Sequence, residues 1–143
     1  MESLPRNILA DTGPLFTLIQ AGDADHPRAV EFARRFTGRL ITTWPVLTEA
    51  SYLLLQSDRR GLNVLLGMIL DGHLSVVDLT AEDVKYMRSL MAKYDTMDLA
   101  DASLVVIGER LDILDIVTID RRDFSRYRTR TRKAFTNRFP DDS

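Results

Sequence analysis

The sequence predicts an α/β protein, a three-layer α/β/α sandwich over a mostly parallel sheet. Short apolar runs typical of buried strands alternate with helical segments of about ten to fifteen residues, in which apolar side chains recur at helical spacing. The length of 143 residues, with 45% hydrophobic and 28% charged residues, is that of one globular domain. We therefore expect a single domain over 1–143, without repeats or linkers.

The first predicted strand is the apolar run 8–10, which ends at Asp11. Pro14 suits the first turn of the following helix, because its fixed φ matches the helix and its missing N–H needs no partner there. A second helix starts at His26, and Gly38 ends it. Two helices are thus expected between the first and second strands.

The second predicted strand is 40–42, and Pro45 opens the helix after it. The residues 59–61 interrupt the helical pattern, and a very apolar helix over 62–70 follows. The third strand is 74–77. This middle part again places two helices between two strands.

The last third of the chain contains the clearest helix signals. Thr80 and Asp83 resemble a capping box, which predicts a helix to about Lys93. The remaining predicted elements are a helix over 99–111, a strand over 116–119 that ends at Asp120, and a weak edge strand at 134–135.

The composition restricts the possible sites. The chain has no cysteine, which excludes disulfides and thiolate zinc sites. Its two histidines, His26 and His73, are isolated, which excludes a histidine-rich metal cage. Any metal must be held by oxygen. No apolar run approaches the roughly 20 residues needed to cross a bilayer, and residues 1–7 lack a secretory signal pattern. We therefore expect a cytoplasmic protein.

Charge is distributed unevenly along the chain. Residues 1–120 carry a net charge of −7 and residues 121–143 a net charge of +5, which together give −2. A basic C-terminal tail from about 125 beside an acidic body suggests a polyanionic partner for the tail and a cation for the body. On charge alone, a solvated tail is the simpler interpretation.

The acidic residues fall where a parallel sheet binds its ligands, at the carboxyl ends of its strands. Asp11 follows the first strand and Asp120 the fourth, so both carboxylates lie at one edge if these strands are neighbours. Glu49 lies early in the helix after the second strand, and Asp98 and Asp101 share one helical face. Converging carboxylates without a lysine or arginine repel one another, and a divalent cation removes that repulsion.

Oxygen ligands favour Mg²⁺ or Mn²⁺, and such a site suits phosphodiester hydrolysis, because the metal activates water and neutralises developing charge. Thr12 and Thr118 are placed to orient a carboxylate or the attacking water. Each acid taken singly also has a structural explanation as a turn or helix cap. The combination of the acids therefore carries the functional prediction.

Four strings of residues, in this order and spacing, resemble the PIN domain, and in particular the VapC-type toxins of toxin–antitoxin pairs. They are Asp11-Thr12-Gly13-Pro14-Leu15, Leu47-Thr48-Glu49-Ala50, Met97-Asp98-Leu99-Ala100-Asp101-Ala102 and Thr118-Ile119-Asp120-Arg121-Arg122-Asp123-Phe124. The resemblance extends from Ile8 to about Tyr127. It implies an endoribonuclease with an α/β/α fold, whose acidic pocket binds Mg²⁺ or Mn²⁺.

The resemblance also assigns roles to residues and implies partners. The four catalytic and metal-binding acids of the family match Asp11, Glu49, Asp101 and Asp120. The supporting positions are Thr12, Asp98, Thr118 and Asp123. The family further implies a homodimer and a small VapB-like antitoxin that covers the cleft.

Four arginines follow closely after the fourth acid and are expected to bind RNA phosphates that the pocket would repel. They are Arg121, Arg122, Arg126 and Arg128. If they do so, RNA binding should weaken steeply with added salt.

Other functions remain open at this point. One is a PIN-type nuclease that processes RNA outside a toxin–antitoxin pair, and another is an acidic binding module without catalysis. The triplet Asp11-Thr12-Gly13 also occurs in aspartic proteases, but that fold is nearly all β and this chain is mostly helical. Metal titration distinguishes these functions, because converging carboxylates of a nuclease should bind Mn²⁺ and a docking surface should not.

Overall fold

Five short parallel strands form the central sheet of the computed structural model, which describes residues 3–141. The strands are β1 (Asn7–Ala10), β2 (Arg39–Thr42), β3 (Leu74–Val76), β4 (Asp115–Val117) and β5 (Thr136–Asn137). Their order is β3-β2-β1-β4-β5, and each neighbouring pair is parallel. The first and fourth strands are therefore neighbours, as a shared site at their carboxyl ends requires.

Helices connect the strands. They are α1 (Thr12–Ile19), α2 (His26–Arg35), α3 (Trp44–Ser57), α4 (Arg59–Leu70), α5 (Ala81–Lys93), α6 (Leu99–Leu111) and α7 (Arg121–Arg126). Within residues 3–141, none of these helices combines the length and apolar character that a bilayer crossing requires.

The helices cover both faces of the sheet. Gly108 of α6 lies so close to β1 that a Cβ atom there would be 2.9 Å from Leu9 Cδ1. Phe32 of α2 packs near Leu40 of β2. Leu40 is aligned with Ile8, and successive side chains of a strand point to opposite faces of the sheet. The side chains of Leu9 and Leu40 therefore point to opposite faces, so α6 and α2 lie on opposite sides of the sheet. The predicted α/β/α sandwich is confirmed.

The structure corrects several predicted boundaries. The break between α3 and α4 is Asp58 alone rather than 59–61, because the Asp58 carboxylate caps α4 by accepting a hydrogen bond from the Arg60 N–H at 3.0 Å. β4 ends at Val117, two residues before the predicted end. The edge strand lies at 136–137 instead of 134–135, and the helix α7 was not predicted.

The segment after α7 is packed against the rest of the domain. Tyr127, Phe135 and Phe139 are buried in the hydrophobic core. β5 pairs with β4, which adds a fifth strand to the sheet. The arginine-rich sequence therefore alternates exposed charges with apolar anchors.

Candidate active site

An open acidic cavity of about 410 Å³ lies at the carboxyl ends of β1 and β4. The chain proceeds from β1 to β2 on one side, whereas β4 lies on the other side, so this edge is the switch point of the sheet. Among residues 3–141, eight acidic residues line the cavity: Asp11, Asp23, Asp25, Glu49, Asp98, Asp101, Asp120 and Asp123. No lysine or arginine of the described part of the chain is among the lining residues.

The structure brings together all six acids that the sequence singled out, from the ends of β1 and β4 and the starts of α3, α6 and α7. Asp23 and Asp25, in the loop between α1 and α2, were missed. A loop has no periodicity that would show where its side chains point, so the sequence gives no sign that these two acids face the cavity.

Asp11 is the N-cap of α1, and both of its carboxylate oxygens are held. One accepts from the Thr12 N–H and the other from the Thr118 hydroxyl, each at 2.8 Å. Burial raises the pKa of Asp11 to about 6 despite these hydrogen bonds, and the charges of Asp98 and Glu49 act in the same direction. The ionised form of this carboxylate is thus disfavoured unless a positive charge lies close to it.

Asp101 lies in the first turn of α6 and is 9% exposed. Its N–H donates to Asp98, the helix N-cap, and its carboxylate accepts from the Tyr127 hydroxyl, both at 2.8 Å. Burial raises the pKa of Asp101 to about 8, opposed by Tyr127 and reinforced by the charges of nearby acids, including Asp11 and Asp98. Without a nearby cation, Asp101 therefore keeps its proton up to about pH 8, and Asp11 keeps its proton up to about pH 6.

Glu49 and Asp123 are more exposed than Asp101, and nearby carboxylates also raise their pKa values. Burial, followed by the charge of Asp98, raises the pKa of Glu49. Burial, followed by the neighbouring Asp120, raises the pKa of Asp123. The cavity therefore repels additional negative charge over much of its lining.

Thr12 contributes a hydroxyl that is buried and, among the described residues, has no hydrogen-bond partner. The residue is 6% exposed and lines the cavity, with Glu49 close enough for the hydroxyl to lower its pKa. The neighbouring Glu49 carboxylate, or a water or ligand in the cavity, supplies the partner that this hydroxyl requires.

The donor set fits a hard divalent cation. The cavity offers carboxylate and hydroxyl oxygens without a competing positive side chain, and α1 and α6 both begin at it. Within residues 3–141, no three acidic or imidazole side chains already converge into a metal cage, so the acids line the cavity without closing around one point.

The four predicted RNA-binding arginines differ in their surroundings. Arg126 is exposed at the rim, where it donates to the Thr96 hydroxyl at 3.1 Å, and Thr96 in turn donates to Asp123 at 3.3 Å. Arg121 pairs with Asp141 at 3.1 Å. Arg128 donates to backbone carbonyls, and Arg122 is exposed. Arg126 is therefore the best placed of the four for a ligand in the cavity.

Two residues of the C-terminal segment support the site and were not predicted. Tyr127 reaches Asp101, and the Asn137 side chain bonds both the N–H and the carbonyl of Thr118, at 3.2 and 3.0 Å. A partial signal was available in Phe124 and Tyr127, which are three residues apart and in edge contact.

Fold and cavity together define an α/β protein with an acidic site at the switch point of a parallel sheet. The model of the PIN domain family matches residues 8–129, and the chain belongs to this family. The match ends before β5, so Asn137 lies outside it.

Three known proteins are similar to this chain. Ribonuclease VapC26 of Mycobacterium tuberculosis is 26% identical over 126 residues, which cover 85% of this chain and 92% of the relative. The crystal structure of Mycobacterium tuberculosis VapC20, described as a toxin that cleaves the sarcin–ricin loop, has a TM-score of 0.72 and 22% identity, covering 79% of this chain and 89% of VapC20. VapBC2 of Rickettsia felis, bound to a DNA fragment from its promoter, has a TM-score of 0.57 and 14% identity, covering 81% and 89%. The two solved structures show the same fold.

Proposed function

We propose that this chain is a metal-dependent endoribonuclease and the toxin of a VapBC-type toxin–antitoxin pair. The observation that carries the proposal is the cavity lined by eight carboxylates at the switch point of a PIN domain. The similarity to ribonuclease VapC26 supports RNA as the substrate. The similarity to VapC20, a toxin, supports the biological role.

In this proposal Asp11, Glu49, Asp101 and Asp120 hold Mg²⁺ or Mn²⁺. When bound, the cation lowers the pKa of a water molecule and neutralises charge that develops on the scissile phosphate. Thr118 fixes the orientation of Asp11 at 2.8 Å, and the unpartnered Thr12 hydroxyl is placed to bind a water. Asp98 and Asp123 act as supporting acids, and the amino ends of α1 and α6 are capped by the carboxylates of Asp11 and Asp98.

The direct test is to incubate the purified protein with total cellular RNA and Mg²⁺ or Mn²⁺ and to map the cut sites by sequencing. A synthetic sarcin–ricin loop is the first defined substrate, because VapC20 is described as cleaving it. We expect cuts at defined positions that disappear with EDTA and in Asp11→Asn. Cleavage that persists in Asp11→Asn would assign the activity to a contaminant, and metal-independent RNA binding without cleavage would favour the acidic binding module.

The toxin role includes a VapB-like antitoxin, a homodimer and a cytoplasmic location, where RNA and antitoxin are both present. VapBC2 of Rickettsia felis supports a partner of this kind. Expression of the chain should arrest growth, and co-expression of the neighbouring small reading frame should restore it. Light scattering should give a mass near twice 16.3 kDa. RNA cleavage without growth arrest would instead favour an RNA-processing nuclease.

Arg126 yields a prediction about salt dependence. In the cleavage-deficient Asp11→Asn background, Arg126→Ala is expected to weaken RNA binding and to reduce the slope of log K against log salt by about 0.7, the value of one single-strand phosphate contact. Arg60→Ala is the matched control, because Arg60 is an exposed arginine paired with Asp58 at the start of α4. Fluorescence anisotropy over a salt series measures both. An unchanged slope in Arg126→Ala would leave this arginine as a solvated surface charge.

A further inference from the structure

Tyr127 is completely buried, at 0% exposure, in the segment that follows α7. Its ring packs edge-on against Phe124 and Tyr94, with ring centroids 5.0 and 5.1 Å apart. Such contacts fix the ring by its apolar surface alone. The position of the phenol oxygen is therefore set by the packing of the ring as well as by the hydrogen bond that the hydroxyl makes.

The Tyr127 hydroxyl donates a hydrogen bond of 2.8 Å to Oδ2 of Asp101, which is 26 residues away in the sequence. With a cation bound, the carboxylate is ionised and only accepts, so the phenol supplies the proton of this bond. Asp101 is also held through its backbone, since its N–H donates to Asp98. The position of the carboxylate is thus defined at both ends of the residue.

In this arrangement one carboxylate oxygen of Asp101 accepts the hydrogen bond from Tyr127, and the other remains available to a ligand. Among the described residues, Oδ1 of Asp101 accepts no hydrogen bond, and the residue forms part of the cavity wall. The negative charges of Asp11, Asp98 and Asp123 repel the charge of Asp101. Without a donor on Oδ2, repulsion from these neighbours would favour other orientations of the carboxylate.

The donor is also neutral. A lysine or arginine at this point would hold Asp101 equally well, but its positive charge would compete with a cation for the same carboxylates. A buried phenol orients the carboxylate and leaves the negative charge of the cavity intact. This combination is what a carboxylate that must bind a metal requires from its neighbours.

We propose that Tyr127 is a positioning residue that holds Asp101 in the orientation in which its free oxygen binds the divalent cation. Tyr127 acts through Asp101 and touches neither RNA nor cation. The inference rests on the proposed function, because it concerns the same metal site.

The test compares Mn²⁺ affinity, measured by isothermal titration calorimetry, in the wild type, Tyr127→Phe and Tyr94→Phe. Tyr127→Phe keeps the ring and removes the donor, and we expect the Kd for Mn²⁺ to rise by about 10- to 100-fold. Tyr94→Phe is the matched control, because its ring is in the same cluster while its hydroxyl accepts from the Arg128 N–H at 3.2 Å. That variant should bind Mn²⁺ within about twofold of the wild type.

A second readout separates positioning from packing. The Mn²⁺ concentration that gives half-maximal RNA cleavage should rise in Tyr127→Phe by the same factor as the Kd, while the melting temperatures of the metal-free proteins show that both variants are folded. Wild-type Mn²⁺ affinity in Tyr127→Phe, or an equal loss in Tyr94→Phe, overturns the role of the hydroxyl. Absence of Mn²⁺ binding in the wild type itself would refute the proposed function and, with it, this inference.

If Tyr127→Phe does not fold, wild-type protein labelled with 3-fluorotyrosine provides the test. The chain has four tyrosines, so Tyr52→Phe, Tyr86→Phe and Tyr94→Phe assign the signal of Tyr127 by elimination. Mg²⁺ should shift the Tyr127 fluorine signal by more than that of Tyr52, which is 63% exposed. A Tyr127 signal that does not respond to saturating Mg²⁺ contradicts the inference.

Discussion

Replacing either Asp11 or Asp101 by asparagine is expected to lower the rate of RNA cleavage by about a thousand-fold. Each amide keeps the size of the side chain but removes a negative charge from the donor set. The loss of several kcal/mol of transition-state stabilisation by the cation corresponds to a rate factor of this order. Single-turnover cleavage of one oligonucleotide at fixed Mn²⁺ concentration measures it. Asp98→Asn and Asp123→Asn should cause smaller losses of about 10- to 100-fold, as for outer partners of a metal site.

Asp112→Asn is the matched control for these substitutions. Asp112 is the C-cap of α6, at the opposite end from Asp101, and its side chain is 82% exposed. Its backbone is left-handed, with φ 55°, a conformation that asparagine adopts readily. The rate of RNA cleavage by Asp112→Asn should remain within about twofold of the wild-type rate. A rate above a tenth of the wild-type value in Asp11→Asn would exclude Asp11 from the catalytic set.

The metal-free protein is expected to lose stability as the pH rises from about 4 to about 8. The pKa is raised by burial from 3.8 to about 6 in Asp11 and to about 8 in Asp101. Between these values the folded protein retains protons that the unfolded chain has released, so the stabilisation is present at low pH and disappears as the pH passes the folded pKa. The slope for one proton is at most about 1.4 kcal/mol for each pH unit.

Asp101→Asn isolates one contribution to this slope. Asp11 contributes little to the pH dependence of stability above about pH 6, because its folded pKa is about 6. The difference in free energy of unfolding between the wild type and Asp101→Asn from pH 6 to 8 therefore reports on Asp101. At pH 8 without metal, the variant should be more stable by about 1 kcal/mol, because it removes a charge from a repelling cluster. Urea denaturation at several pH values measures the difference.

Mn²⁺ should reverse this order of stability. At a concentration of 100 times its Kd, a ligand adds about 2.7 kcal/mol to the free energy of unfolding of a protein that binds it only when folded. The wild type gains this stabilisation, and Asp101→Asn gains less of it. A variant that is less stable than the wild type both with and without Mn²⁺ would identify Asp101 as a structural residue of the first turn of α6.

Local signals predicted most of the secondary structure. The helix over 99–111 was predicted with its observed bounds, because its apolar side chains recur regularly and Asp98 caps it. The Thr80 and Asp83 capping box is present with both hydrogen bonds. By contrast, α7 has six residues and is mostly polar, so it is too short to show a helical period. β5, with two residues, is recognised only by its pairing with β4.

Local context also identified the principal acids of the cavity. Asp11 lies directly after a strand, and Glu49 and Asp101 lie in the first turns of helices, positions that a parallel sheet brings to one edge. Asp23 and Asp25 lie in a loop, where no comparable rule exists. Their contribution to the cavity depends on how α1 and α2 pack, and therefore on distant parts of the chain.

The sequence by itself determined the alternation of strands and helices, the carboxylates at their ends and the family, since these depend on neighbours within a few residues. Tertiary structure alone decided which side chains donate hydrogen bonds to those carboxylates and how far the pKa values of the carboxylates are raised. Tyr127 meets Asp101 across 26 residues, and Thr118 meets Asp11 across 107. The raised pKa values depend on burial and on charges from other elements, and both arise only when the chain is folded.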